Sequence, residues 1–371
     1  MSMCINISVF QFLYGFSILT SSHGYIKNDG LWVSIVNRAM LVPVEYRITD
    51  PTKNRTAKDM RVESFHGFKR KDLLKFLESQ IKNQNLENAN YWCAECVMSG
   101  YVVEVYERLL DTFCNHVNIK NPLLMVSLWD EYDRFTELVN SYENLIDTRN
   151  DQEIRNILCS LASTLSLSSQ FTIPKLCKIS AMDLTTFPRL RTNFSNYTDL
   201  LTPFIQSGDA KELYGPLNEV VNHLRTPRPN SFDQVLYWLS WIVAWEQEYI
   251  KRYDLGACAE RVNEKVEKVY YKDVAWILWD IVKAEGDSRD SRDSRLIIDK
   301  AYRFYVYHYS RKNRYKKITL LTFCLLLLLK SENVVHMSSV YCSTDMYRKV
   351  ILAGANCNSL YRHIGASLKS A

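Results

Sequence analysis

Residues 88–117 read NANYWCAECVMSGYVVEVYERLLDTFCNHV, and their spacing decides the fold class. Trp92, Cys96, Tyr101, Val105, Leu109 and Phe113 keep returning to one face, which predicts a single long helix from about Asn88 to Val117. Asn121-Pro122 then breaks it, and the proline suits the first turn of a following helix, Leu123 to Leu145, with Leu124, Leu128, Tyr132, Phe135 and Val139 on its apolar face. A further helix is expected from about Gln152.

Towards the N-terminus, Leu73, Leu74, Phe76, Leu77 and Ile81 carry the helical period back to Lys69. Residues 1–60 differ: Asn28-Asp29-Gly30 and Asp50-Pro51 are turn signals, and the run from Trp32 to Tyr46 is rich in β-branched residues. Towards the C-terminus, Pro174 and Pro188 interrupt a Ser/Thr-rich stretch, giving a loop or junction. A helix resumes from Asp209 to Leu224 around Pro216. After Thr226-Pro227-Arg228-Pro229, Ser231 is a good N-cap for Phe232 to Arg252, and a long helix is expected from Cys258 to Lys283. The triplet Asp-Ser-Arg, written three times from Asp287 to Arg295, reads as a solvated linker because it has no apolar anchor.

The expected architecture is mainly α: an irregular multi-helix bundle or stacked helical array with a small strand-containing N-terminal lead-in. Its segments are the lead-in 1–60, a helical subdomain 61–170, a junction 171–196, a Trp-lined helical subdomain 197–286, the linker 287–295 and a basic, aromatic helical region 296–371. Composition agrees. In 371 residues, 47% hydrophobic content supplies a substantial core, and 11 Gly with 9 Pro are few for a turn-rich sheet protein. Lys and Arg total 46 against 41 Asp and Glu, a net charge of +5 that is too mild to mark the whole chain as a nucleic-acid binder. The ten cysteines lie mostly within apolar helical patterns and read as reduced core thiols of a cytosolic protein. The sequons at Asn6, Asn54, Asn193 and Asn196 are expected to stay unmodified, because the apolar stretch Met1 to Thr20 lacks the positive n-region of a secretion signal. Ile318 to Leu329 would span only about 18 Å as a helix, against about 30 Å for a bilayer core.

Candidate chemistry is sparse. Cys93-Ala94-Glu95-Cys96 with Cys114 and His116 has zinc-ligand residue types, but on one continuous helix Cys93 and Cys114 would lie roughly 31 Å apart, so no metal site is expected. No Gly-x-Ser-x-Gly elbow and no glycine-rich phosphate loop occurs, and the acid pairs Asp130/Glu131 and Glu246/Glu248 read as solvated helix faces. No catalytic residue and no cofactor is expected. Two aromatic stripes stand out: Trp238, Trp241 and Trp245, and Trp276 and Trp279, each set on one helical face. They suit either core packing or a partner subunit. The segment from Lys300 to Ser331 holds no Asp or Glu, and its Arg311, Lys312, Arg314, Lys316 and Lys317 interleave with tyrosines such as Tyr305 and Tyr309. Such a set could meet an acidic protein surface, nucleic-acid phosphates or anionic lipid headgroups.

The stretch Tyr91-Trp92-Cys93-Ala94-Glu95-Cys96-Val97-Met98-Ser99-Gly100-Tyr101, followed by a helix and Asn121-Pro122, resembles a helical protein shared among nucleocytoplasmic large DNA viruses. The shared pattern is an aromatic pair, a small residue, Glu and then Ser-Gly within a long helix, and Cys96 stands where an aliphatic residue is expected. The similarity covers roughly residues 60–290. It implies a late virion structural protein, a minor capsid component lying between the outer lattice and the inner membrane, with no catalytic residues. Its implied partners are the major capsid protein and other minor capsid proteins, with possible contact to the inner membrane surface. It would reside in the virion, and in the host cytoplasm during assembly. The alternative drawn from the residues is a nucleic-acid-binding accessory factor in replication or packaging that uses residues 300–331.

Overall fold

The computed structural model describes residues 62–181, 183–184, 200–289, 291–310, 312–330 and 339–367, with the backbone of 23–28 and 31–36. The fold is mainly helical. His23–Asn28 and Leu31–Val36 pair as antiparallel strands. The rest of residues 1–60 lies outside the described residues, so a strand-containing lead-in is not supported as a part of this fold. The chain forms two compact units: unit 1 takes residues 1–106, 137–167 and 338–371, and unit 2 takes 107–136 and 168–337. Both are discontinuous in sequence.

Unit 1 is built from α1 (Arg70–Lys82), α2 (Leu86–Met98), the start of α3 (Val102–Thr112), the end of α4 (Leu124–Asn140), α5 (Gln152–Leu167) and α11 (Thr344–Ser367). α1 buries Leu73, Leu77 and Ile81, the face that the 3.6-residue period predicts. α2 packs on α1, α5 and α11, with Cys93, Cys96 and Val97 inside. Asn85 caps α2 by accepting from the Asn88 amide at 3.1 Å. Asp151 caps α5 by accepting from the amides of Glu153 at 2.7 Å and Ile154 at 2.9 Å. α11 belongs here because Cys357, Tyr361 and Ile364 are buried within the unit.

The single helix expected from Asn88 to Val117 is two helices. α2 ends at Ser99-Gly100, where Gly100 takes φ +79°. The Gly100 amide donates to Val97 O at 2.9 Å and the Tyr101 amide to Cys96 O at 3.0 Å, the paired bonds of a left-handed glycine stop. Hydrophobic periodicity ran on through the break, because both helices bury a face and the glycine re-aims the chain without leaving polar backbone unpaired.

Unit 2 is centred on α10 (Arg314–Leu329), which packs against α6 (Tyr214–Arg225), α7 (Ser231–Tyr253), α8 (Ala275–Asp287) and α9 (Arg292–Val306). Leu320, Leu321 and Phe323 to Leu328 are all buried, so the apolar run is a core helix that is hydrophobic on every side. No helix among the described residues is long and apolar enough to cross a membrane.

Two further expectations change. The helix from Cys258 to Lys283 is confined to α8, because residues 256–261 run beside 271–272: the Cys258 amide donates to Lys272 O at 3.1 Å and the Arg261 amide to Tyr271 O at 2.9 Å. Gly256 is required there, since a Cβ would collide with the Lys272 backbone. The Asp-Ser-Arg stretch is also shorter as a linker than its composition suggests. Ser291 caps α9 by accepting from the Ser294 amide at 3.3 Å, and Ser294 is buried.

Candidate functional site

The most concentrated polar chemistry in unit 2 is buried between α7, α8 and α10. Trp238, Ile242 and Glu246 stand at four-residue intervals on α7, so the glutamate sits on the apolar face. Its Oε1 accepts from the Val274 amide at 2.7 Å, just before α8, where the positive helix end favours a carboxylate. Its Oε2 lies 3.2 Å from Arg314 Nη1, and Asp273 Oδ2 lies 3.5 Å from the same nitrogen. The Tyr309 hydroxyl donates to Asp273 Oδ2 at 2.9 Å. Burial pushes the Tyr305 and Tyr309 phenols well above their ordinary range, keeping both neutral and able to donate.

Two carboxylates thus share one guanidinium. The adjoining cavity, lined by Ile242, Glu246, Val274, Leu278, Tyr305 and Arg314, measures about 20 Å³, room for about one water and not for a substrate. What this cluster does chemically is join α7, the turn before α8 and α10. A second ion cluster holds the irregular 254–274 segment: Arg261 bonds both Asp209 oxygens at 2.9 Å and also reaches Phe204 O at 2.9 Å.

In unit 1 the glutamate of the Cys-Ala-Glu-Cys stretch has its own role. Glu95 is fully buried and accepts from the Ser64 hydroxyl at 2.8 Å and the His66 amide at 3.1 Å, while His66 Nδ1 lies 2.6 Å from Oε2. Ser99 accepts from the Phe65 amide at 2.8 Å. The pair Glu95 and Ser99 therefore moors the 62–68 turn onto α2. The Ser64 hydroxyl is directed to Glu95 and not to His66, so this is not a serine–histidine nucleophile arrangement.

The tryptophan faces turn inward. Trp238 and Trp241 have no exposed surface, and Trp276 and Trp279 are buried, leaving only Trp245 of the five partly exposed for a partner. The indole rings of α8 interlock with tyrosines of the basic segment: Trp276 lies 4.8 Å from Tyr309, and Trp279 lies 5.1 Å from Tyr305. The core-packing alternative therefore holds for the α8 indoles, and the tyrosines of the basic segment are their partners.

The basic set is dispersed by the fold. Arg314 is buried against Glu246 and Asp273. Lys317 donates to Phe304 O at 3.0 Å, to Tyr305 O at 3.2 Å and to Tyr307 O, closing the C-terminal end of α9. Lys300 pairs with the sequence-distant Asp130 at 2.8 Å and Arg303 with Asp299, one helical turn earlier, at 2.8 Å, so acids outside the stretch neutralise cations within it. Lys312 and Lys316 remain exposed, and Arg311 lies outside the described residues. Of the five cations offered as a phosphate- or acidic-surface-binding set, the low-dielectric interior takes up Arg314 and the α9 carbonyls take up Lys317.

Sequence reasoning missed Glu246, Asp273 and Glu95. Glu246 was paired with Glu248 as a solvated face; the signal against this was its register with Trp238 and Ile242. The distance argument against zinc rested on a continuous helix that Gly100 breaks. Among the described residues, no group of three or more His, Cys, Asp or Glu side chains is placed to hold a metal ion.

Two aromatic faces remain partly exposed. On unit 1, Trp92 lies 5.6 Å from Phe68 and 5.0 Å from Phe76. On unit 2, Trp245, Tyr249 and Tyr253 form a ladder along α7 with ring spacings of 5.1 and 4.7 Å. Compared with known proteins, the chain matches no family model, no curated protein and no solved structure.

Proposed function

We propose that this chain is a non-enzymatic assembly protein of a large DNA virus, a minor capsid component that bridges shell subunits through its helix faces. The observation that carries this reading is the α7 ladder Trp245–Tyr249–Tyr253, which runs from the buried Trp241 out to Tyr253, whose surface is 53% exposed. Rings held rigidly by their neighbours lose little conformational entropy on docking, which is why tyrosine and tryptophan dominate contact centres. The aromatic–Glu–Ser-Gly resemblance of residues 91–101 supplies the viral context. In that context the partners are the major capsid protein and other minor capsid proteins, the inner membrane surface is a further possible contact, and the chain resides in the virion and in the host cytoplasm during assembly.

The rival reading as a nucleic-acid-binding accessory factor loses support because Arg314 and Lys317 are committed within the fold. Quantitative mass spectrometry of purified particles, before and after detergent, tests the proposal. The chain is expected at constant stoichiometry with the detergent-resistant shell, and its absence from particles overturns the reading.

A further inference from the structure

In unit 1, the turns 155–159 of α5 and 353–357 of α11 lie side by side in a reciprocal arrangement. Cys159 Sγ donates to Ala353 O at 3.6 Å, one turn before Cys357, and Cys357 Sγ donates to Arg155 O at 3.9 Å, one turn before Cys159. Cys159 Sγ also lies 3.4 Å from Asn90 Oδ1 of α2, the helix that carries Cys93. All three cysteines are buried. Of these three thiols, Cys159 and Cys357 are the pair in which each sulfur reaches the backbone one turn before the other, across two packed helices.

We propose that Cys159 and Cys357 form a reversible disulfide that staples α11 to α5 when the protein meets a small-molecule disulfide oxidant of the oxidised-glutathione class. The thiolate of one cysteine attacks an oxidant sulfur, giving a mixed disulfide and releasing one small thiolate, which takes up a proton. The second cysteine, deprotonated in turn, attacks the protein sulfur of that mixed disulfide; the Cys159–Cys357 bond forms and the second small thiol leaves. The two protein thiols lose two electrons and two protons, and the oxidant becomes two thiols. Because the thiols are shielded from water, the first attack requires α11 to lift from α5, so the rate follows local opening of that helix. The bond closes a chain loop that contains residues 168–337, all of unit 2 beyond its first segment.

The test uses the full chain, prepared reduced and then held in oxidised glutathione, with and without mild urea, before alkylation, digestion and mass spectrometry. The expected result is a linked peptide pair joining Cys159 to Cys357 as the dominant disulfide, reversed by dithiothreitol. Proteolytic release of α11 should slow by at least about thirtyfold in the oxidised form. The Cys357→Ala variant is expected to lose the linked species, and Cys159→Val serves the same purpose if that variant does not fold. Recovery of Cys159 and Cys357 as separate glutathione adducts, as fully alkylated thiols even in urea, or linked to Cys93 instead, overturns the proposal.

Discussion

Raising the pH should unfold this protein through its cysteines. Burial pushes the thiols of Cys93 and Cys96 in unit 1, and of Cys114, Cys258 and Cys324 in unit 2, above their ordinary value of 9.0, and the neighbouring Cys159 thiol together with burial raises that of Cys357 in unit 1. A group whose folded pKa exceeds its unfolded pKa contributes stability that is complete below the unfolded value and lost as pH rises above it. The unfolded chain alone sheds these protons from pH 9 upward. Each thiol then removes about 1.4 kcal/mol by pH 10 and about 2.7 kcal/mol by pH 11, so three per unit remove about 8 kcal/mol by pH 11. That matches the whole stability of an ordinary domain, roughly 5–15 kcal/mol. Lys317 in unit 2 works in the opposite sense: burial lowers its ammonium to about 8, so its cost is relieved between there and 10.5. The gain is at most about 2.6 kcal/mol by pH 10, and less because three carbonyls hold the charge. Circular dichroism at 222 nm and thiolate absorbance at 240 nm, followed together in dithiothreitol, should change in one transition between about pH 10 and 11. Thiolate absorbance that rises while the helical signal stays native would show the thiols titrating inside the fold and would refute the reasoning.

Arg314→Met should destabilise unit 2 by about 3–5 kcal/mol in urea melts at pH 7, because Glu246 and Asp273 are left buried without their guanidinium. Adding Glu246→Gln and Asp273→Asn should recover much of the loss. Gly100→Ala should cost about 1 kcal/mol, the penalty of a left-handed backbone, since the new methyl meets only ordinary contact with Ile146 at 3.6 Å. Gly256→Ala should cost more, about 3 kcal/mol, because the colliding atoms belong to the Lys272 backbone; equal midpoints for the two glycine variants would contradict the packing described. Lys317→Met should lower stability by about 1 kcal/mol and speed amide exchange at the last turn of α9, which a purely solvated lysine would leave unchanged.

Much of the fold was legible in residue spacing. The period of Leu73, Leu77 and Ile81, the break at Asn121-Pro122, the helix start at Gln152 and the 231–252 helix are all local signals, and local signals survive without knowledge of what packs where. The break at Gly100 was also written locally, in Ser99-Gly100, but apolar periodicity on both sides outweighed it. The role of the basic segment was not legible at all. Its cations are answered by Asp130, Glu246 and Asp273, remote in sequence; the packing of α10 against α7 and α8 brings Glu246 and Asp273 to Arg314, and the fold brings Asp130 of α4 to Lys300 of α9.

The sequence by itself determined the helical class, the burial of one face of each helix, the apolar character of residues 318–329 and the absence of familiar catalytic strings. Those properties depend on composition and on periods of a few residues. Tertiary structure alone decided that the indole stripes of α7 and α8 are core, that Glu95 holds a turn, that Arg314 is an internal counter-ion and that the last helix returns to the first unit. The physical reason is the same in each case: whether a charge or a ring faces water depends on its neighbours in space, and a buried charge is tolerated only where the fold delivers its partner.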